Sequence, residues 1–163
     1  ATSLEGARML RVVGVERKPF ALYCKGTLVP TCYFLDETGF IFDSAPVFSD
    51  GVYFTYTTAV PLENPLGRQF VIQSEFEGLA AFITRIKNLG VVPHSLELSD
   101  SERTIILANG ASIKFSREAD TAALGNALES FLLSEPIKAE KDFWNKLSAL
   151  DMRTENKVFY SFK

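Results

Sequence analysis

One histidine, two cysteines and a scatter of acidic pairs are the residues of this chain that could do chemistry. His94 stands between Pro93 and Ser95. A neutral imidazole is a competent general base near pH 7. Cys24–His94 or Ser95–His94 would then be a nucleophile–base pair. Nothing around His94 resembles a nucleophile elbow, a phosphate-binding loop or a metal-ligand cluster. Two thiols and one imidazole do not build a standard zinc site. Asp36-Glu37, Glu75/Glu77 and Glu97/Asp100/Glu102 have simpler accounts as a turn, a helix start and a solvated strand end. Carboxylate pairs alone are too common to mark glycosidase chemistry. The expectation is a protein with no catalytic residue, metal or cofactor. A small hydrolase using His94 is the catalytic alternative.

Cys24 and Cys32 lie near the ends of two candidate strands, Phe20–Cys24 and Cys32–Asp36. Pairing them sets Tyr23 opposite Tyr33 and Leu22 opposite Phe34. A cross-strand disulfide is then geometrically accessible and would indicate an oxidising compartment. The alternative is two small apolar core residues.

The other notable stretch is the last one. Lys157-Val158-Phe159-Tyr160-Ser161-Phe162-Lys163 has high β-propensity and no proline or glycine. Val158, Tyr160 and Phe162 share one face, with Lys157, Phe159, Ser161 and Lys163 on the other. At a sheet edge, its outward N–H and C=O groups would be open to another strand.

The elements that must position these residues follow from hydrophobic period and breakers. Met9–Glu16, Phe20–Cys24, Cys32–Leu35, Phe40–Asp43 and Val52–Thr57 read as strands, with Asp36-Glu37-Thr38-Gly39 as a hairpin turn. Ser74-Glu75-Phe76-Glu77 reads as a capping box before a helix carrying Phe76, Leu79, Ala80, Ile83 and Ile86 and ending near Gly90. Leu96–Leu98, Thr104–Leu107 and Ser112–Phe115 are further strands, the last two joined by Asn109-Gly110. Ala122–Leu133 and Lys138–Leu147 are helices, separated by Pro136 and followed by terminal strands. This order predicts an α+β fold: a mostly antiparallel sheet with two to three helices packed on it, ending in an open edge strand.

The 163 residues are 47% hydrophobic with a net charge of −3 and fourteen phenylalanines. That argues for a large core and gives no electrostatic case for nucleic acid. No apolar run approaches a membrane span of about 20 residues, and no signal peptide is visible. Residues 1–18 read as an appended leader or the remnant of an upstream domain, and 19–163 as one domain.

Four segments in order resemble the extracytoplasmic part of the bacterial cell-division family FtsQ/DivIB. Val15-Glu16-Arg17-Lys18-Pro19-Phe20-Ala21-Leu22-Tyr23 is similar to the junction between its POTRA (polypeptide-transport-associated) and β domains. Cys32–Phe42 is similar to its "Y-L-I-D-x-x-G-x-x-F" hairpin, and Ile105–Ile113 to its "L-x-L-x-(D/N)-G-x-x-V" hairpin. Leu150-Asp151-Met152-Arg153 is similar to its closing "(I/V)-D-(L/M)-R".

The resemblance implies a non-enzymatic divisome assembly protein that binds FtsB-like and FtsL-like division proteins. Partner uptake would be by strand addition at the C-terminal sheet edge, on the periplasmic face of the cell membrane, with an anchor helix upstream of this chain. It implies a partner site of Arg153, Lys157, Val158, Phe159, Tyr160, Ser161 and Phe162, with Arg103 as a second basic position. Thr154 stands where some members carry an aromatic. A different envelope-assembly or secretion-associated binding domain is the alternative.

Overall fold

The computed structural model describes residues 13–26, 30–49, 51–155 and 157–163. Strands β1 (Ala21–Lys25), β2 (Thr31–Leu35) and β3 (Ile41–Ala45) open it as an antiparallel meander. The register has Leu22 opposite Phe34, Tyr23 opposite Tyr33 and Cys24 opposite Cys32. Cys24 and Cys32 are joined by a disulfide.

Between β2 and β3, Asp36 builds the turn. One of its carboxylate oxygens accepts from the Thr38 N–H, the Thr38 hydroxyl and the Phe40 N–H at 2.9, 2.7 and 3.0 Å. Arg17 donates to the other oxygen and lies 4.2 Å over the Phe40 ring. Gly39 closes the turn at φ +80°, and a Cβ there would come within 2.6 Å of Phe76. Only glycine meets both demands.

Strand β4 (Thr55–Thr58), helix α1 (Gln73–Asn88) and strand β5 (Pro93–Leu98) form a parallel crossover. Strands β6 (Glu102–Leu107) and β7 (Ser112–Ser116) follow as the Asn109-Gly110 hairpin. Helix α2 (Thr121–Leu132) and the single turns α3 (Glu135–Lys138) and α4 (Phe143–Lys146) lead to β8 (Leu147–Asp151) and β9 (Phe159–Phe162). All nine strands form one sheet in the order β3-β2-β1-β4-β5-β6-β7-β8-β9. Five pairings are antiparallel and three are parallel. The fold is α+β with a mostly antiparallel sheet, and its last strand is an edge.

The helices cover one face. Phe76 of α1 packs on Tyr56, and Phe82 on Phe115, with ring centroids 5.1 and 5.4 Å apart. Tyr23, Leu96, Ile105, Ile113 and Leu150 are buried beneath them. On the opposite face, Thr57, Thr104, Ser112 and Lys114 are half-buried. The alternation along β6 and β7 is this division of faces.

Several elements differ from expectation. The Ser74 capping box does not form. The helix begins two residues earlier, at Gln73, with Ile72 rather than Ser74 at its N-cap. Glu77, which would close the box, accepts from the Gln73 amide at 2.7 Å, and Glu75 is drawn to Arg103. Helix α2 is capped instead by Asp120, whose carboxylate accepts from the N–H groups of Ala122 and Ala123. The single helix over Lys138–Leu147 is two turns, divided at Asp142, which has a left-handed φ of +59°. Pro136 belongs to the first of those turns. Val52–Phe54 precede β4 rather than start it. Of the Met9–Glu16 strand, residues 9–12 lie outside the described residues, and residues 13–16 form no strand.

Candidate functional site

The two edges of the sheet are treated differently. At β3, the Ile41 N–H donates to the Arg68 carbonyl, the Gly67 N–H to the Ile41 carbonyl and the Phe70 N–H to the Gly39 carbonyl, at 2.8, 2.8 and 2.9 Å. The segment around Gln69 thus covers the first part of that edge. At the other edge, β9 pairs with β8 alone, Asp151 opposite Phe159 and Leu150 opposite Tyr160. Among the described residues, no strand covers its outer side. Natural edge strands are usually blunted by shortness or by a lysine, a proline or a bulge on the edge itself. β9 is four residues long, and within it there is no charge or proline, only Phe159-Tyr160-Ser161-Phe162.

The strand is shorter than Lys157–Lys163, and Lys157 and Val158 precede it. Val158 packs partly against the core. Tyr160 and Phe162 turn to the helix side, both with centroids 5.8 Å from the Phe143 ring. Tyr160 also lies 5.6 Å from Phe131 of α2. Phe159 therefore points to the opposite face, where it is 56% exposed. Tyr160 and Phe162 keep 43% and 40% of their surface exposed along the edge. Ser161 is exposed beside Phe159.

Beside the edge runs a groove of about 920 Å³ between α2 and the Met152–Val158 segment. Leu124, Phe131, Met152 and Val158 give it an apolar floor, and Arg153, Glu155 and Lys157 are on its rim. Local sequence pattern carries no sign of it, because it exists only where α2 crosses the β8–β9 connection.

Arg153 is held from two sides. Its Nη2 donates to Asp151 at 2.5 Å and its Nη1 to Glu102 at 2.9 Å. The Arg153 guanidinium holds the Asp151 carboxyl below its usual range, against a smaller opposing effect of burial. The same hydrogen bonds, donated to Asp151, push the Arg153 pKa further up. Arg153 is thus a fixed cation with its charge already answered by two neighbours.

Arg103 is not part of this surface. It is 3% exposed, on the helix side of β6, and its Nη2 donates to Glu75 at 2.7 Å. Its Nη1 donates to the Ser99 carbonyl at 2.5 Å, while its Nε has no partner. The physical reason is register: Arg103 alternates with Ile105 and Leu107 on the buried face, so no strand added to β9 reaches it.

Of the possible nucleophile pairs, Cys24–His94 loses its nucleophile. Cys24 has spent its thiol in the disulfide. His94 sits where the β5–β6 register shifts between Pro93 and Ser95. Among the described residues there is no group of three or more metal-ligating side chains. Nor is any helix long and apolar enough to cross a membrane.

The chain matches no protein-family model and no curated protein.

Proposed function

We propose that this domain is a protein-interaction module of the bacterial cell-division machinery, of the FtsQ/DivIB type, which takes up a partner strand at β9. The observation that carries this reading is the β9 edge, short and aromatic, open along its length where the opposite edge is covered at its start. Backbone hydrogen bonds would set the partner's register, and alternate side chains its specificity. Phe159 is the aromatic anchor on the outer face, and Arg153 stands at the entrance to the edge.

Two further features support the reading. The motif segments occupy the entry to β1, the β2–β3 hairpin, the β6–β7 hairpin and the end of β8. A disulfide suits the extracytoplasmic face of the membrane. The partners are then FtsB-like and FtsL-like proteins, and the domain is tethered through an upstream helix.

The test is calorimetric titration with an FtsB-like peptide from the same organism. Wild type should bind, and deletion of Phe159–Lys163 should abolish binding. Arg153→Gln should weaken it by roughly tenfold, the scale of a lost charged hydrogen bond. Charge reversal at Arg153 would crowd a third carboxylate against Asp151 and Glu102, so the neutral variant is cleaner. A folded wild-type domain that ignores the peptide would sink the division reading.

A further inference from the structure

We infer that β9 also pairs with β9 of a second copy of this chain, across a two-fold axis through Ser161. The inference rests on the reading of β9 as a pairing edge.

The backbone sets the possibilities. The Lys163 N–H donates to the Lys146 carbonyl at 2.9 Å, which directs Lys163, Ser161 and Phe159 toward β8. Tyr160 and Phe162 therefore turn their N–H and C=O groups outward, where no strand among the described residues pairs with them. A two-fold axis beside an antiparallel edge must stand perpendicular to the sheet. The helices of both copies then share one side, and one residue faces itself.

Only two central registers keep most of the strand paired. With Tyr160 on the axis, Lys157 of each copy approaches Lys163 of the other, a like-charge pair at both ends. With Ser161 on the axis, Tyr160 faces Phe162 of the second copy, twice. Each of those pairs exchanges both backbone hydrogen bonds. The rings join the cluster of Phe131, Phe143, Tyr160 and Phe162 on the helix side. On the outer face, Phe159 meets Lys163 of the second copy, a cation against an aromatic ring. The Ser161 register is thus self-complementary, with no like charges opposed. It occupies the same backbone groups that a partner strand needs, so dimer and partner complex exclude each other.

Position 161 is where self-pairing can be tested directly. Ser161 side chains would face each other as a non-hydrogen-bonded pair with Cα atoms about 4.5 Å apart. Cys24 and Cys32 bridge across strands at a Cα separation of 4.1 Å. Ser161→Cys should therefore form a symmetric interchain disulfide under mild oxidation. Ser101→Cys, at an exposed turn beside β6, three strands away from β9, should not. Sedimentation velocity should show a concentration-dependent monomer–dimer equilibrium, reversed by the FtsB-like peptide. Ser161→Lys puts two ammonium groups on the axis and should raise the dimer dissociation constant at least about tenfold. The same variant should keep its melting temperature. A wild type that stays monomeric to several hundred micromolar overturns the inference. So does Ser161→Cys protein that crosslinks no faster than Ser101→Cys. Peptide binding by such a monomer would leave the proposed function standing, whereas a dimer that ignores the peptide would remove that function and keep the self-pairing.

Discussion

Two buried charged residues show how single side chains set local structure here. Burial opposes ionisation of Asp36, but hydrogen bonds from the Thr38 hydroxyl, the Phe40 N–H, Arg17 and the Thr38 N–H outweigh it and hold the carboxyl below its usual value. A depressed folded pKa gives stability that is present above the unfolded value of about 3.9 and lost as pH falls through the folded one. Asp36→Asn keeps an acceptor but loses the charge, and should cost about 1–2 kcal/mol at pH 7. In urea titrations, the gap to wild type should close below about pH 4. A gap that stays constant from pH 7 to pH 2 would count against the charged turn. Arg103 poses the reverse problem, because a buried guanidinium needs Glu75. Glu75→Leu should cost about 1–3 kcal/mol, discounted from the fully buried case because Glu75 keeps 27% of its side-chain surface in water. Adding Arg103→Met should recover most of that loss, since the double variant buries no charge. Chemical denaturation of the two variants decides it.

Among the elements, two glycines test how helices sit on the sheet. Gly39 touches Phe76 of α1 at a positive φ, so Gly39→Ala strains the backbone and displaces a buried ring. A loss of about 2–4 kcal/mol is expected. Gly125 of α2 looks similar, since a Cβ there would overlap the Arg85 guanidinium. That neighbour is the movable end of a long side chain, and α2 gains about 1 kcal/mol of helix propensity from alanine. Gly125→Ala should therefore stay within about 1 kcal/mol of wild type, with Arg85 released from Glu129 and Asn126. Equal losses at the two glycines in thermal melts would contradict this account of the packing.

For the whole molecule, the continuous nine-stranded sheet makes the disulfide and Trp144 reporters of one cooperative unit. Closing the short loop between Cys24 and Cys32, eight positions apart, should contribute about 2.5 kcal/mol in the chain-entropy model. Both sulfurs should resist alkylation until a reductant is added. On reduction, urea unfolding followed by Trp144 fluorescence should shift to lower midpoint, although Trp144 lies near the other end of the sheet. Circular dichroism should trace the same transition. A Trp144 signal indifferent to reduction would divide the molecule into independently unfolding parts.

Periodicity alone located most of the strands and both long helices, because a two-residue or 3.6-residue repeat records which side each residue must bury. The β1–β2 register followed from pairing the two cysteines, one of two readings their positions allowed. The open last strand was legible too. Tertiary structure decided what local pattern leaves free. Ser74 had the residue type of a cap, but Glu77 and Glu75 had better partners in Gln73 and Arg103. Arg103 had the charge of a surface residue, but its place in β6 turned it inward. Which of Phe159 and Tyr160 faces outward depended on where α2 and Phe143 pack, and the groove beside Arg153 on where α2 crosses the chain. Those are contacts between residues far apart in sequence, and a local period carries no record of a distant neighbour.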